Sequence, residues 1–131
     1  MQKQLIIIAA GFLISYPSAI FSDSINLSSN IIEDKIHKNV DKANSNNKSK
    51  NGDIKYKNED YKGAIIDYSE ILKNNPENKY ALFRRALSKS KIKDYEGAIS
   101  DYSKVIEIDK TYHQAFYNRG YVKDKIKDYY G

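Results

Sequence analysis

The side chains that could do acid–base, nucleophilic or metal chemistry in this 131-residue chain are few and poorly placed. His37 and His113 have no second histidine at metal-ligand spacing, and His113 reads as an exposed first-turn residue. Ser69 and Ser103 belong to a repeated Asp-Tyr-Ser triplet on helical patterns, with no histidine nearby in sequence to activate a hydroxyl. There is no cysteine, which excludes disulfides, thiol nucleophiles and thiolate metal sites. The glycines are isolated and form no phosphate-binding loop. Asp67 and Asp101 recur as a pair, which follows from the repeat, and read as solvated helix-face charges within reach of lysines. No catalytic constellation, metal site or cofactor is therefore expected, and the chain reads as a non-enzyme.

What positions these residues is a period. Asp60, Asp94 and Asp128 open DYKG, DYEG and DYYG at equal spacing along the chain. Aligning 60–93 with 94–127 gives 14 identities in 34 positions, which sets the architecture as an internal repeat. Tyr61, Ala64, Ile65, Tyr68, Ile71 and Leu72 form one apolar helical stripe, copied by Tyr95, Ala98, Ile99, Tyr102, Val105 and Ile106. Asp60 and Asp94 stand where an N-cap belongs, and Pro76 fixes a turn. The other helix of each period covers about 79–91 and 113–125, with Ala86 and Gly120 small at one register.

These features resemble the tetratricopeptide (TPR) repeat family over about residues 45–131: the period, the small residues Gly52, Ala86 and Gly120, the Ala64…Tyr68 and Ala98…Tyr102 pattern, and Pro76. The resemblance implies an all-α helix-turn-helix solenoid, two full units plus the first helix of a third, at about 45–78, 79–112 and 113–131. Lys48 and Asn51 stand where large apolar residues are usual, so the first helix is expected to be frayed or short. Lys110 replaces the second closing proline, and Ile71 and Val105 replace an alanine, implying wider spacing. The family's concave side is lined by first helices. Carried over residue by residue, it presents Tyr80, Phe83, Arg84, Leu87 and Lys91, then Gln114, Tyr117, Asn118, Tyr121 and Lys125. Aromatic bodies flanked by Arg, Asn and Lys suit an extended peptide or partner protein, with Leu87 and Tyr121 equally open to a core reading. The basic residues do not reproduce the two-carboxylate clamp of chaperone-binding members.

Outside the array, residues 1–22 have the layout of a secretory signal: Lys3, an apolar run from Leu5 to Ile14, then small residues around Pro17. Cleavage is expected after Ser22, with Ser24 or Ala19 as alternatives, giving a periplasmic or extracellular protein. The competing reading is a membrane anchor over residues 5–21, short of the roughly 20 apolar residues a spanning helix needs. Residues 23–51 read as a polar linker, disordered at NSNNKSKNG (44–52). Ile32, Ile36 and Val40 outline a short amphipathic helix at 30–42, capped by Asn30 and Glu33. The net charge of +5 raises a helical-repeat nucleic-acid binder as an alternative; the length of the period and the export signal weigh against it, and no nucleic acid is expected. The stop three residues after Asp128 predicts an unfinished array and admits an accessory domain of a longer protein. Phe116, Tyr117, Tyr121 and Val122 would make the last helix a poor cap.

Overall fold

In the computed structural model, the backbone of residues 5–9, 12–16 and 18–130 and the side chains of 26–127 are described. Lys3 and Pro17 of the signal layout and Gly131 of the last DYxG block lie outside the described residues. The elements are β1 (Leu5–Ala9), β2 (Phe12–Tyr16), α1 (Ser18–Lys57), α2 (Tyr61–Asn74), α3 (Lys79–Lys91), α4 (Tyr95–Ile108) and α5 (His113–Tyr130).

The chain divides into two compact units, residues 1–41 and 42–131. In the first, β1 and β2 pair antiparallel with Leu5 opposite Tyr16 and Ala9 opposite Phe12. The run of isoleucines in β1 suits a strand because branching at Cβ favours extended backbone. The 30–42 segment is helical as part of α1, but the helix begins at Ser18, so Asn30 and Glu33 are not its cap. Its stripe of Ile32, Ile36 and Val40 is exposed.

The second unit is the repeat array, an all-α stack of the end of α1 with α2 to α5. The polar run 44–52 is helical here, not disordered, and Lys48 and Asn51 do not fray it. Composition misleads because this stretch is held from outside. Lys48 pairs with Glu70 of α2, and the Tyr68 ring closes over Gly52 so tightly that a Cβ there would lie 2.8 Å from it.

Each second helix begins in the same way. The Asp60 carboxylate accepts from the Gly63 amide at 2.9 Å, and Asp94 from Gly97 at 3.0 Å, satisfying donors that the helix start leaves free. A Cβ on Gly63 or Gly97 would sit 2.1 or 2.3 Å from that carboxylate, which accounts for the glycine of the repeated DYxG. The preceding residues, Glu59 and Lys93, take positive φ (62° and 66°). That lets Asp60 and Asp94 donate back to the Lys55 and Lys89 carbonyls at 2.9 Å and end the preceding helix. The turn at Lys110 forms without a proline, because Asp109 accepts from the Thr111 amide at 3.0 Å and hydroxyl at 2.6 Å.

The core follows the predicted stripes: Ala64, Tyr68, Ile71 and Leu72 from α2, and Ala98, Tyr102 and Val105 from α4, are buried with Ala81, Leu82 and Ala86 of α3. Side chains such as Tyr68, Tyr102 and Leu82 each contribute roughly 1.5–3 kcal/mol on burial. Val122 is 1% exposed, so it belongs to the core and not to the outer face of the last helix. That outer face is open at Phe116, Tyr117 and Tyr121.

Gly52 and Gly120 share a register but differ in surroundings, since a Cβ at Gly120 meets nothing within 4 Å. Gly120→Ala is expected to raise stability by up to about 1 kcal/mol through helix propensity. Gly52→Ala is expected to lower it, because the Tyr68 hydroxyl is fixed and the ring cannot retreat. Urea denaturation of the two variants checks the opposite signs.

Candidate functional site

The face presented by the first helices centres on a residue that the sequence reading missed. Asp53, on α1 directly after Gly52, gathers side chains from two other helices. It accepts from the Tyr68 hydroxyl of α2 at 2.6 Å, from the Tyr80 hydroxyl of α3 at 2.5 Å and from Arg84 Nε at 2.8 Å. The Arg84 guanidinium forms an ion pair with the same carboxylate at 2.8 Å and lies 4.6 Å from the Tyr56 ring centroid. The register could have revealed Asp53, since it stands one period before Leu87 and two before Tyr121, both assigned to this face. Treating the first helix as frayed hid it.

Partial burial raises the Asp53 carboxyl, but donation from Tyr68 and Tyr80 and the charge of Arg84 outweigh it, leaving a value below the ordinary one. Burial, then the bond to Asp53, pushes the Tyr68 phenol well above its usual range. The cluster at neutral pH is one carboxylate, one guanidinium and neutral phenols.

Of the α3 residues assigned to the groove, Tyr80 and Arg84 meet in this cluster. Phe83 packs into the core, its ring 5.7 Å from Tyr102 and 5.2 Å from Tyr112. Leu87 is half-buried against the core and Lys91 is exposed. On α5, Tyr117 and Tyr121 are exposed, the Lys125 ammonium lies 5.6 Å from the Tyr121 ring, and Gln114 is exposed. Asn118 donates its amide to the Gln114 carbonyl at 2.7 Å. Beside the cluster, Asn46, Ser49 and Tyr80 line a hollow of about 230 Å³ with Ser45, Ile71 and Asn78.

Asp67 and Asp101, read as solvated charges, are structural, and the serines beside them are bonded. Asp101 is 2% exposed; Arg85 holds it at 2.8 and 2.6 Å and Lys89 at 2.9 Å. Asp67 is likewise drawn in, with Lys55 at 2.8 Å. Burying the apolar stripe of α2 and α4 takes the neighbouring aspartate with it, so it needs a cation. Ser69 and Ser103 accept from Arg85 at 3.1 Å and Arg119 at 3.2 Å. His113 is exposed at the first position of α5. Among the described residues, no group of three or more His, Cys, Asp or Glu could hold a metal ion.

Because the folded-state value of Asp53 lies below the ordinary 3.8, its stabilisation is present above that pH and is lost as pH falls through the folded value. Asp53→Asn is expected to cost about 1.5–3 kcal/mol at neutral pH, the range for hydrogen bonds to charged groups. Its difference from the parent should shrink below about pH 4. Denaturation curves at several pH values check this.

A model of the TPR repeat matches residues 90–125. No curated protein sequence matches the chain. Among solved structures, the TPR2B domain of yeast Sti1 in its pHsp70 complex superposes with a TM-score of 0.62 at 24% identity, covering 66% of this chain and 69% of that one. The second TPR of Spaghetti (RPAP3), bound to the HSP90 peptide SRMEEVD, gives 0.61 at 26% identity over 64% and 78%. The Arabidopsis OM64 TPR domain gives 0.61 at 26% over 65% and 70%. The matched repeat and these likenesses make the array similar to tetratricopeptide repeat domains in sequence over residues 90–125 and in fold beyond it, and such domains act as protein–protein interaction modules.

Proposed function

We propose that this chain is an exported, non-enzymatic scaffold that holds an extended peptide or partner protein against the face formed by its first helices. The observation that carries this reading is the Asp53 cluster. Three helices commit a carboxylate, a guanidinium and two phenols to fixing one another, which leaves Tyr80 44% exposed with its hydroxyl held by Asp53. A rigid aromatic surface costs little entropy on binding. Lys91, Tyr117, Tyr121 and Lys125 continue the face along α3 and α5, offering rings for apolar side chains and cations at the rim.

Similar structures in complex with peptides support a peptide ligand. The ligand's chemistry differs here: Arg84 is already paired with Asp53, so the centre of this face offers no spare cation for a ligand carboxylate. A segment with a neutral or apolar centre and flanks that accept from the rim lysines fits better than one that brings a carboxylate to the centre. Export rests on the layout of residues 1–22. Among the described residues, no helix is long and apolar enough to cross a membrane.

Random peptides displayed on phage and selected on the full chain test the groove. Selected peptides are expected to bind the Tyr80→Ala, Lys91→Glu double variant at least about tenfold more weakly, a loss of about 1.4 kcal/mol. Indifference of every selected peptide to that variant, with its helix content intact by circular dichroism, would overturn the reading. Mass spectrometry of protein from its native cell checks export, with a mature start near Asp23 expected and an intact Met1 contradicting it.

A further inference from the structure

The repeat allows each surface to be compared with its equivalent one period away. In the first pair of helices, Lys55 of α1 meets Asp67 of α2 at 2.8 Å, and Gly52 lies under the Tyr68 ring. In the second, Lys89 of α3 meets Asp101 of α4 at 2.9 Å, and Ala86 and Tyr102 are fully buried. On α5 the same positions are Lys123 and Gly120. Lys123 is exposed with no carboxylate partner among the described residues, and a Cβ at Gly120 meets nothing within 4 Å. Leu82 of α3 is 1% exposed, whereas its equivalent Phe116 is 42% exposed.

Arginine tells the same story from both sides. Arg85 bonds backward to Ser69 of α2 and forward to Asp101 of α4. Arg119 keeps the backward bond, to Ser103 at 3.2 Å, and among the described residues has no forward carboxylate. Phe116, Tyr117, Gly120, Tyr121 and Asp124 line an open hollow of about 560 Å³ on this side.

We propose that the open face of α5 docks an amphipathic helix of a partner protein built like α4: a small residue, an aspartate three positions on, a tyrosine next to it and a β-branched residue three further. Ala98, Asp101, Tyr102 and Val105 show what such a helix buries against α3. On α5 the tyrosine ring enters the space over Gly120, the apolar stripe covers Phe116, and the aspartate sits between Arg119 and Lys123. Two cations awaiting one acid make the face selective for charge as well as shape. A second copy cannot offer its own α4 in this way, because Asp101 and Tyr102 are buried within their chain. This surface adjoins the groove face at Tyr117 and Tyr121 and does not include the groove's α3 residues Tyr80 and Lys91.

A fluorescent peptide with the sequence of residues 94–109 is the probe, titrated by anisotropy into the full chain. Saturable binding is expected. Gly120→Arg, which fills the open space, should weaken it by about tenfold or more. Lys123→Glu should weaken it, and a peptide carrying lysine in place of the aspartate equivalent to Asp101 should then recover affinity for that variant. The groove variant Tyr80→Ala, Lys91→Glu should bind the peptide as the parent does. Absence of binding, binding indifferent to Gly120→Arg, or loss in the groove variant alone would overturn the proposal. So would a dimer in sedimentation that Gly120→Arg abolishes, since the face would then belong to a second copy.

Discussion

One contact sets the register of the array: the tyrosine and aspartate of each second helix entering the first helix together. Tyr102 is fully buried, and beside it Asp101 is 2% exposed between Arg85 and Lys89. The ring supplies the apolar burial. The carboxylate supplies the address, because a desolvated charge one position out of register would lose both cations. In the first pair Tyr68 needs glycine at position 52, since the ring approaches closer than any Cβ allows. Helices held this way cannot slide, so side chains on the other face stay in fixed positions.

That fixity is what the Asp53 cluster uses. Tyr68 reaches through from the core side to donate to Asp53, which in turn holds Tyr80 and Arg84. Packing and groove are thus joined by one hydroxyl. The same helix type then has different fates along the stack. α3 packs against both α2 and α4, while among the described residues α5 packs substantially against α4 alone. Equivalent residues are core in one helix and exposed in the other, as Leu82 and Phe116 show.

The array was legible because its signals are redundant. The DYxG opening marks a cap, the Ala64…Tyr68 stripe marks a buried face, and both recur in the next period. Less legible was anything that depends on a neighbour. The run 44–52 has no apolar residue to advertise helix, yet it is fixed by Gly52 under Tyr68 and by Lys48 with Glu70. Asp67 and Asp101 look like surface charges until the cations across from them are seen. Phe83 reads as a groove ring, but Tyr102 and Tyr112 draw it into the core. Asp53 escaped notice because its partners lie far along the chain, on α2 and α3.

Native-state amide hydrogen exchange tests the central claim most directly, that two-sided packing through the Tyr–Asp contact locks the array. The α3 amides, with neighbours on both sides, should exchange only through opening of the whole unit, and those of α5 through a smaller, separate opening with lower free energy. Equal protection of α3 and α5 would contradict the account, because the contact would then not be what distinguishes a locked helix from an open one.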